Sequence, residues 1–263
     1  MSGAVTRTGL VDAARMQLRV IGALVIREMH TRFGRQRLGY LWLFAEPLLL
    51  GGVIALLHGA SGGEGIRSSF EFFSIGFMLF QLLRGIVSRA PNTINANQTL
   101  LYHRQVTLPD LFFARHAIEL AASAGVMALF VVAGIAMGGA APDQPVKMIL
   151  ALVLMLLLAQ GIAFMVGSIT SEFEAAGYFV QIATFGIMPI CGLMFMVEWL
   201  PPDWQEVALW MPTVHLFELM RDGQFGEQFR TFYDLSYIGW WIIGPHLLGL
   251  AGLRIARARV GLE

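Results

Sequence analysis

The sequence predicts an all-α membrane protein: six transmembrane helices, an N-terminal amphipathic interfacial helix, and short re-entrant helices between spans five and six. Three observations predict it. Hydrophobic residues make up 56% of the 263 and charged residues only 14%, with a mean hydropathy of +0.65. Soluble domains run at about 45–50% and about 25%, and a water-exposed surface cannot absorb that excess of apolar side chains. Six apolar stretches approach or exceed the roughly 20 residues a helix needs to cross a hydrocarbon core. Finally, the formal net charge of zero is a cancellation between unlike ends: the first 38 residues hold seven arginines against Asp12 and Glu28, whereas Glu198 to Asp234 holds seven acids against Arg221 and Arg230. An arginine-rich start of this kind marks the side of the membrane that faces the cytoplasm.

Residues 1–38 are too polar to span, yet Leu10, Ala14, Leu18, Ile21, Val25 and Met29 recur at spacings of three and four, with Asp12, Arg15, Arg19 and His30 opposite. That pattern predicts an amphipathic helix at the cytoplasmic interface, its arginines at anionic headgroups; packing on a partner protein is the competing reading. Residues 39–263 form one membrane domain with spans at about 40–58, 71–92, 111–138, 147–169, 176–197 and 236–254. Backbone groups in lipid need internal partners, so the spans are helices. Continuous runs such as Leu150–Leu158 contradict the alternation of a membrane barrel. With the N-terminus inside, eleven Lys/Arg fall on the cytoplasmic side and four on the other, which predicts that both termini are cytoplasmic. Gly134 and Gly138 form a G-x-x-x-G that permits close helix approach.

The stretch from Glu198 to Asp234 is too apolar for a free loop. Asp203–Trp210, with Asp203 as N-cap after two prolines, and about Pro212–Asp222, stopping at Gly223, predict two short helices dipping into the membrane. Trp199, Trp204, Trp210, His215, Glu218 and Arg221 are outer-gate candidates there; a surface cap without a transport role is the plainer alternative.

Enzyme chemistry is hard to find. The six histidines are scattered, no H-E-x-x-H or G-x-S-x-G occurs, and the lone Cys191 excludes a disulfide within the chain. No metal site or cofactor is expected. No G-x-x-x-x-G-K-[ST] loop exists and Lys147 is the single lysine, so any nucleotide-driven work needs a separate partner. Charges inside spans are functional candidates because each costs roughly 2.5–3.5 kcal/mol on insertion scales. Glu46, Arg84 and Glu119 qualify, with structural pairing and substrate contact both open.

Residues 26–50, IREMHTRFGRQRLGYLWLFAEPLLL, resemble the start of the first span in permeases of bacterial capsular-polysaccharide (polysialic-acid/capsule-type) exporters, a branch of the ABC-2 type family. Arg27, Glu28, Thr31, Arg32, Phe33, Gly34, Leu38, Gly39, Trp42, Glu46 and Pro47 carry the resemblance. Asn97–Glu119 is similar to the family's segment between spans two and three, with a small departure at Thr107-Leu108-Pro109-Asp110. Trp210–Arg221 is a third match. The resemblance implies a homodimer paired with two copies of a separate ABC ATPase, which moves a lipid-linked polysaccharide and works with periplasmic and outer-membrane export proteins. It implies that Asn97–Asp110 couples to the ATPase, through Asn97, Leu100, Leu101, Tyr102, Arg104 and Asp110. Arg27, Arg32, Arg35 and Arg37 become lipid-anchor or headgroup candidates by charge position. Phe73, Phe77, Phe80, Gln81, Tyr178 and Gln181 are channel-lining candidates, since aromatic rings and amides suit sugars. O-antigen or another lipid-linked glycan, a drug or lipid exporter, and a membrane-embedded glycan-modifying enzyme are the alternatives.

Overall fold

The computed structural model describes residues 9–33, 49, 52–53, 66–101 and 106–260. Among them the chain is helical, with no strand. The elements are α1 (Leu10–Phe33), α2 (Ile66–Val87), a 3-10 turn at Asn95–Asn97 leading into α3 (Gln98–Leu101), α4 (Leu108–Ala136), α5 (Pro145–Thr170), α6 (Ala176–Gly186), α7 (Pro202–Ala208), α8 (Pro212–Phe225) and α9 (Leu235–Val260). Prolines begin four of these helices, Pro109 at the second position of α4 and Pro145, Pro202 and Pro212 at the first of α5, α7 and α8. There the missing N–H would have had no helical partner anyway.

Among the described residues four helices are long and apolar enough to cross a membrane: α2 over Phe70–Val87, α4, α5, and α9 over Leu235–Ala258. They correspond to the predicted spans at 71–92, 111–138, 147–169 and 236–254. The span at 40–58 lies outside the described residues. The stretch predicted as a span at 176–197 differs: α6 covers 11 residues, about 16 Å at 1.5 Å per residue, and turns follow it. Pro189 has no N–H to give the carbonyl of Phe185; one further turn forms past it, with Cys191 N–H donating to the Ile187 carbonyl at 2.9 Å, and the chain changes course at Gly192, φ +102.

α5 is the centre of the bundle. It packs against α9 most extensively, and against α8, α2 and α4. The α5–α9 crossing is close because small residues face it: a Cβ on Gly249 would stand 2.5 Å from the Cβ of Phe164, and one on Gly252 would stand 2.5 Å from Ser168 Oγ. Between apolar helices in lipid, such close approach supplies the van der Waals contact that a hydrophobic driving force cannot. Met78, Leu79, Leu82, Phe112, Met155, Leu158, Phe164 and Phe217 are fully buried between the helices. Leu247, Leu248 and Ile255 on α9 face outward, as a lipid-facing side must.

Of the G-x-x-x-G glycines, Gly134 alone serves the close approach of α4 to another helix, α2. Gly134 packs against Glu71, and Gly138, at φ +86, lies in the turn that ends α4.

The short helices also depart from their expected limits. α7 starts at Pro202, so Asp203 belongs to its first turn and is not the cap. α8 runs past Gly223 to Phe225 and ends at Gly226, φ +55. Gly223 is needed for contact, since a Cβ there would meet Met148 Cγ at 2.7 Å. Whereas α7 has no buried residue, α8 is buried along nearly its whole length.

α1 lies along α4, turned away from its expected orientation. Gln17, Ile21, Leu24 and Glu28 form the inward stripe, while Leu18, from the predicted apolar face, is 68% exposed and Ile26 is 61% exposed. Apolar periodicity found the helix but not its seat, because two of the inward residues are polar and hold hydrogen bonds or ion pairs.

Candidate functional site

Two polar clusters stand at opposite ends of α4. The first joins α1 to the segment around α3. Arg27 Nη1 donates to Asn97 Oδ1 at 2.7 Å, and Asn97 Nδ2 donates to the carbonyl of Thr93 at 2.9 Å. Arg115 Nε lies 3.0 Å from Glu28 Oε1, while its Nη1 donates to Thr93 Oγ1 at 3.0 Å. Asp110 closes the N-terminus of α4: its Oδ2 accepts from Thr107 N at 2.8 Å and Thr107 Oγ1 at 2.6 Å, and its Oδ1 accepts from Gln17 Nε2. Glu28, Thr93, Asn97 and Asp110 are all buried. Arg27 and Asn97, proposed from sequence for different tasks, are thus one contact. Leu100 and Leu101 are half-buried against the core. Tyr102, Arg104, Arg35, Arg37 and Glu46 lie outside the described residues, as does the side chain of Arg32.

Beside this latch is a small polar recess of about 210 Å³, lined by Ser88, Asn92, Asn95, Thr170, Glu174 and Tyr178 among others. Gln181 Nε2 donates to the carbonyl of Ser88 at 2.7 Å, while Tyr178 is 77% exposed. Amides, hydroxyls, a carboxylate and an open aromatic ring are the groups that hydrogen-bond and stack on a sugar. The six channel-lining candidates therefore divide. Tyr178 and Gln181 are at this surface, Phe73 and Gln81 are half-buried, and Phe77 and Phe80 are buried in the bundle.

Of the intramembrane charges, Glu119 is paired with Arg89 at 2.5 Å. Arg84 instead lies over the Phe185 ring, 4.1 Å from its centroid, with a long 3.4 Å contact to Gln81 Oε1.

The second cluster is built on α8. Arg221, 2% exposed, donates to the carbonyls of Phe195 at 2.5 Å and Leu193 at 2.9 Å, with its guanidinium 3.9 Å over the Phe72 ring. Glu218, fully buried, accepts from the backbone N–H groups of Val197 at 3.2 Å and Phe232 at 3.1 Å, and lies 3.7 Å from Arg221. His215 is held between the Leu209 carbonyl, 2.8 Å from Nε2, and the Asp234 N–H, 3.0 Å from Nδ1. A carbonyl only accepts and an amide N–H only donates, so the proton belongs on Nε2. These three gate candidates stitch the non-helical backbone on either side of α8, which is how irregular chain survives away from water. The tryptophans are different: Trp199 stacks on Phe72 with centroids 5.1 Å apart, while Trp204 and Trp210 are 62% and 75% exposed.

The sequence reading missed Gln17, Thr93 and Arg115 in the latch, the asparagines of the recess, and a buried chain in which Gln160 bridges His116 at 3.3 Å and His246 at 3.4 Å. Gln17, Leu24 and Glu28 at helical spacing were the one available signal.

Comparison with known proteins agrees with this architecture. The family model described as ABC-2 type transporter matches residues 19–225. The chain is 34% identical over 264 residues to the capsule polysaccharide export inner-membrane protein CtrC of Neisseria meningitidis serogroup A, covering 98% of this chain and 97% of that one. It is 32% identical over 247 residues to the capsule polysaccharide export inner-membrane protein BexB of Haemophilus influenzae, 93% of each. It is 27% identical over 238 residues to the polysialic acid transport protein KpsM of Escherichia coli, 88% of this chain and 91% of that one. A match across most of the length, on a helical chain with four apolar spans, settles the family: this chain is a membrane protein of the ABC-2 type transporter family.

Proposed function

We propose that this chain is the permease subunit of a bacterial ABC exporter that moves lipid-linked capsular polysaccharide across the inner membrane. It works as a homodimer with two copies of a separate ATPase, and delivers to periplasmic and outer-membrane export proteins. Similarity to capsule export proteins over nearly the whole chain supports the substrate class. The single structural observation that carries the coupling role is the latch: Arg27–Asn97 and Glu28–Arg115–Thr93 tie α1 to the short segment between α2 and α4. A push on Asn97–Asp110 by an ATPase would then reach α1 and α4 together, as a shift of packed helices.

In this reading the chain crosses the membrane six times, at 40–58 and 176–197 as well as along the four long helices, with both termini in the cytoplasm. α8 is a re-entrant helix whose neighbours Trp199, Trp204 and Trp210 sit at the outer interface. Arg27, Arg32, Arg35 and Arg37 would meet an anionic lipid anchor by virtue of their charge, and the recess at Tyr178 and Gln181 would be the first contact for the glycan.

The test is co-expression with an ATPase encoded beside it. The expected product is a two-plus-two complex in which Asn97→Ala lowers polysaccharide export while ATP hydrolysis continues, and cells lacking this chain should accumulate polysaccharide inside. A chain that purifies alone as a monomer and engages no ATPase overturns the reading.

A further inference from the structure

Among the described residues of the long helices, Arg84 is a half-buried cation whose charge no carboxylate meets. Arg115 of α4 and Lys147 of α5 each have a carboxylate partner, Glu28 at 3.0 Å and Asp222 at 2.6 Å. Among the described residues no carboxylate lies within ion-pair distance of Arg84, and its Nε is buried without a hydrogen-bond partner. A guanidinium on an apolar wall with no carboxylate beside it favours an anion brought to it, because charge-assisted hydrogen bonds are the stronger kind. Arg84 also stands in a cleft of about 380 Å³ between α2, α5, α6 and α9, whose walls are otherwise apolar: Leu83, Leu158, Ile162, Val180, Ile187 and Trp241. The volume lies within the range of small-molecule pockets, about 300–1,000 Å³. Arg84 is in the last turn of α2, at one end of the cleft, and Trp241 is two turns into α9 from the opposite end of the bundle.

We propose that this cleft holds an anionic phospholipid of the surrounding bilayer, its phosphate on the Arg84 guanidinium and one acyl chain along the walls of α5 and α6. The geometry is that of an amphiphile: charge at one end, a hydrocarbon-lined path leading away from it. Guanidinium is the right group for a phosphate oxygen, because its donors form a planar fork, and here Nε is unpartnered while Nη1 has only the long contact to Gln81. The Phe185 ring holds the other face of the guanidinium and fixes its direction. A lipid seated there would cross-brace α2 and α6, whose helices otherwise share few contacts.

The test uses the full chain in phosphatidylcholine nanodiscs, doped with phosphatidylglycerol carrying a photoreactive acyl chain, or with phosphatidylcholine carrying the same chain. Labelled peptides are mapped by mass spectrometry. Peptides of α5 and α6 should take the anionic probe in preference to the zwitterionic one by about tenfold, the worth of one charge-assisted contact. Arg84→Gln should bring the two probes to parity, Arg84→Lys should retain much of the preference, and Ala183→Trp should exclude both by filling the cleft. Unlabelled phosphatidylglycerol should compete. Equal labelling by both probes in the unaltered chain, or a preference that survives Arg84→Gln, overturns the proposal. So does displacement by lipid-linked polysaccharide but not by phosphatidylglycerol, or an efficient disulfide between the two copies of an Ala183→Cys chain, which would put a second copy over the cleft. No ATPase or exported glycan enters the measurement, so its outcome is separate from that of the export reading.

Discussion

Charged side chains are used in opposite ways at the two ends of α4. At the α8 end, Arg221 and Glu218 bond to main-chain carbonyls and amides that have been left open by the breaks around residues 193–197 and 232. At the α1 end, Arg27, Glu28 and Arg115 bond to side chains of other elements: Asn97, Thr93 and one another. Leu193 and Val197 at the α8 end are buried together with Glu218 and Arg221. The arginines of the α1 end are half-buried and can exchange a partner for water. The first arrangement fixes geometry and the second permits rearrangement, so motion in this bundle belongs to the α1 end.

The largest expected effect comes from breaking the rigid end. Arg221→Ala strands two carbonyls and leaves Glu218 as an unpaired buried charge, a change that typically costs about 3–5 kcal/mol. The expected outcome is loss of most folded protein, read as a collapsed monodisperse peak in detergent gel filtration and an early fluorescence unfolding transition. Arg221→Lys should fall between, because one ammonium cannot serve both carbonyls with a fork's geometry. A normally stable Arg221→Ala would remove the contrast between the two ends.

Breaking the α1 end should be milder and functionally louder. In a double-mutant cycle on Glu28→Ala and Arg115→Ala, the pair should show a coupling energy of about 1 kcal/mol, within the 0.5–3 kcal/mol seen for contacting residues. Each single variant should remain folded. If the latch passes motion between ATPase and bundle, both variants should keep ATP hydrolysis while polysaccharide export drops. A cycle with no coupling, or variants that lose hydrolysis and export in equal measure, would mean that the latch is ordinary packing.

How far this contrast was legible in the sequence depends on the scale of the signal. The long helices were readable because hydropathy is an average over about 20 residues, and α2, α4, α5 and α9 follow from composition alone. Arg221 and Glu218 were visible as charges in an apolar stretch, but nothing in a linear pattern shows that they bond to the main chain of residues 193–197. Pro189 and Gly192 were the available warning, and an apolar run of 22 residues masked it. At the other end, helical periodicity located α1 and its apolar face for the interface, but not the residues that tie it to the bundle. The true seat is decided by Gln17 and Glu28, whose partners lie 93 and 87 positions away in Asp110 and Arg115. Pairings at that separation are properties of the fold.

The smallest expected effect sharpens the comparison at the junction of α8 and α9. Asp234 caps α9: its Oδ1 accepts from the backbone N–H groups of Tyr237 at 3.2 Å and Ser236 at 2.8 Å. Those two bonds, that to Tyr237 first, hold its carboxyl below the ordinary value of 3.8. A carboxylate favoured by folding adds stability that is complete above its unfolded pKa and disappears as pH falls through the lower folded one. Thermal unfolding of the unaltered chain should therefore shift down below about pH 4 partly through this group, given the usual aspartate value. Asp234→Asn keeps a capping oxygen without a charge, so its unfolding temperature should lose that part of the acid slope and stay close to the parent value near neutrality. Asp234→Ala should be lower at both pH values, since it removes the capping oxygen from both backbone N–H groups, whereas the main-chain N–H that faces His215 is retained. An acid slope identical in parent and Asp234→Asn would assign the pH dependence elsewhere, and the junction would then behave as an extension of the rigid α8 end with no titrating part of its own.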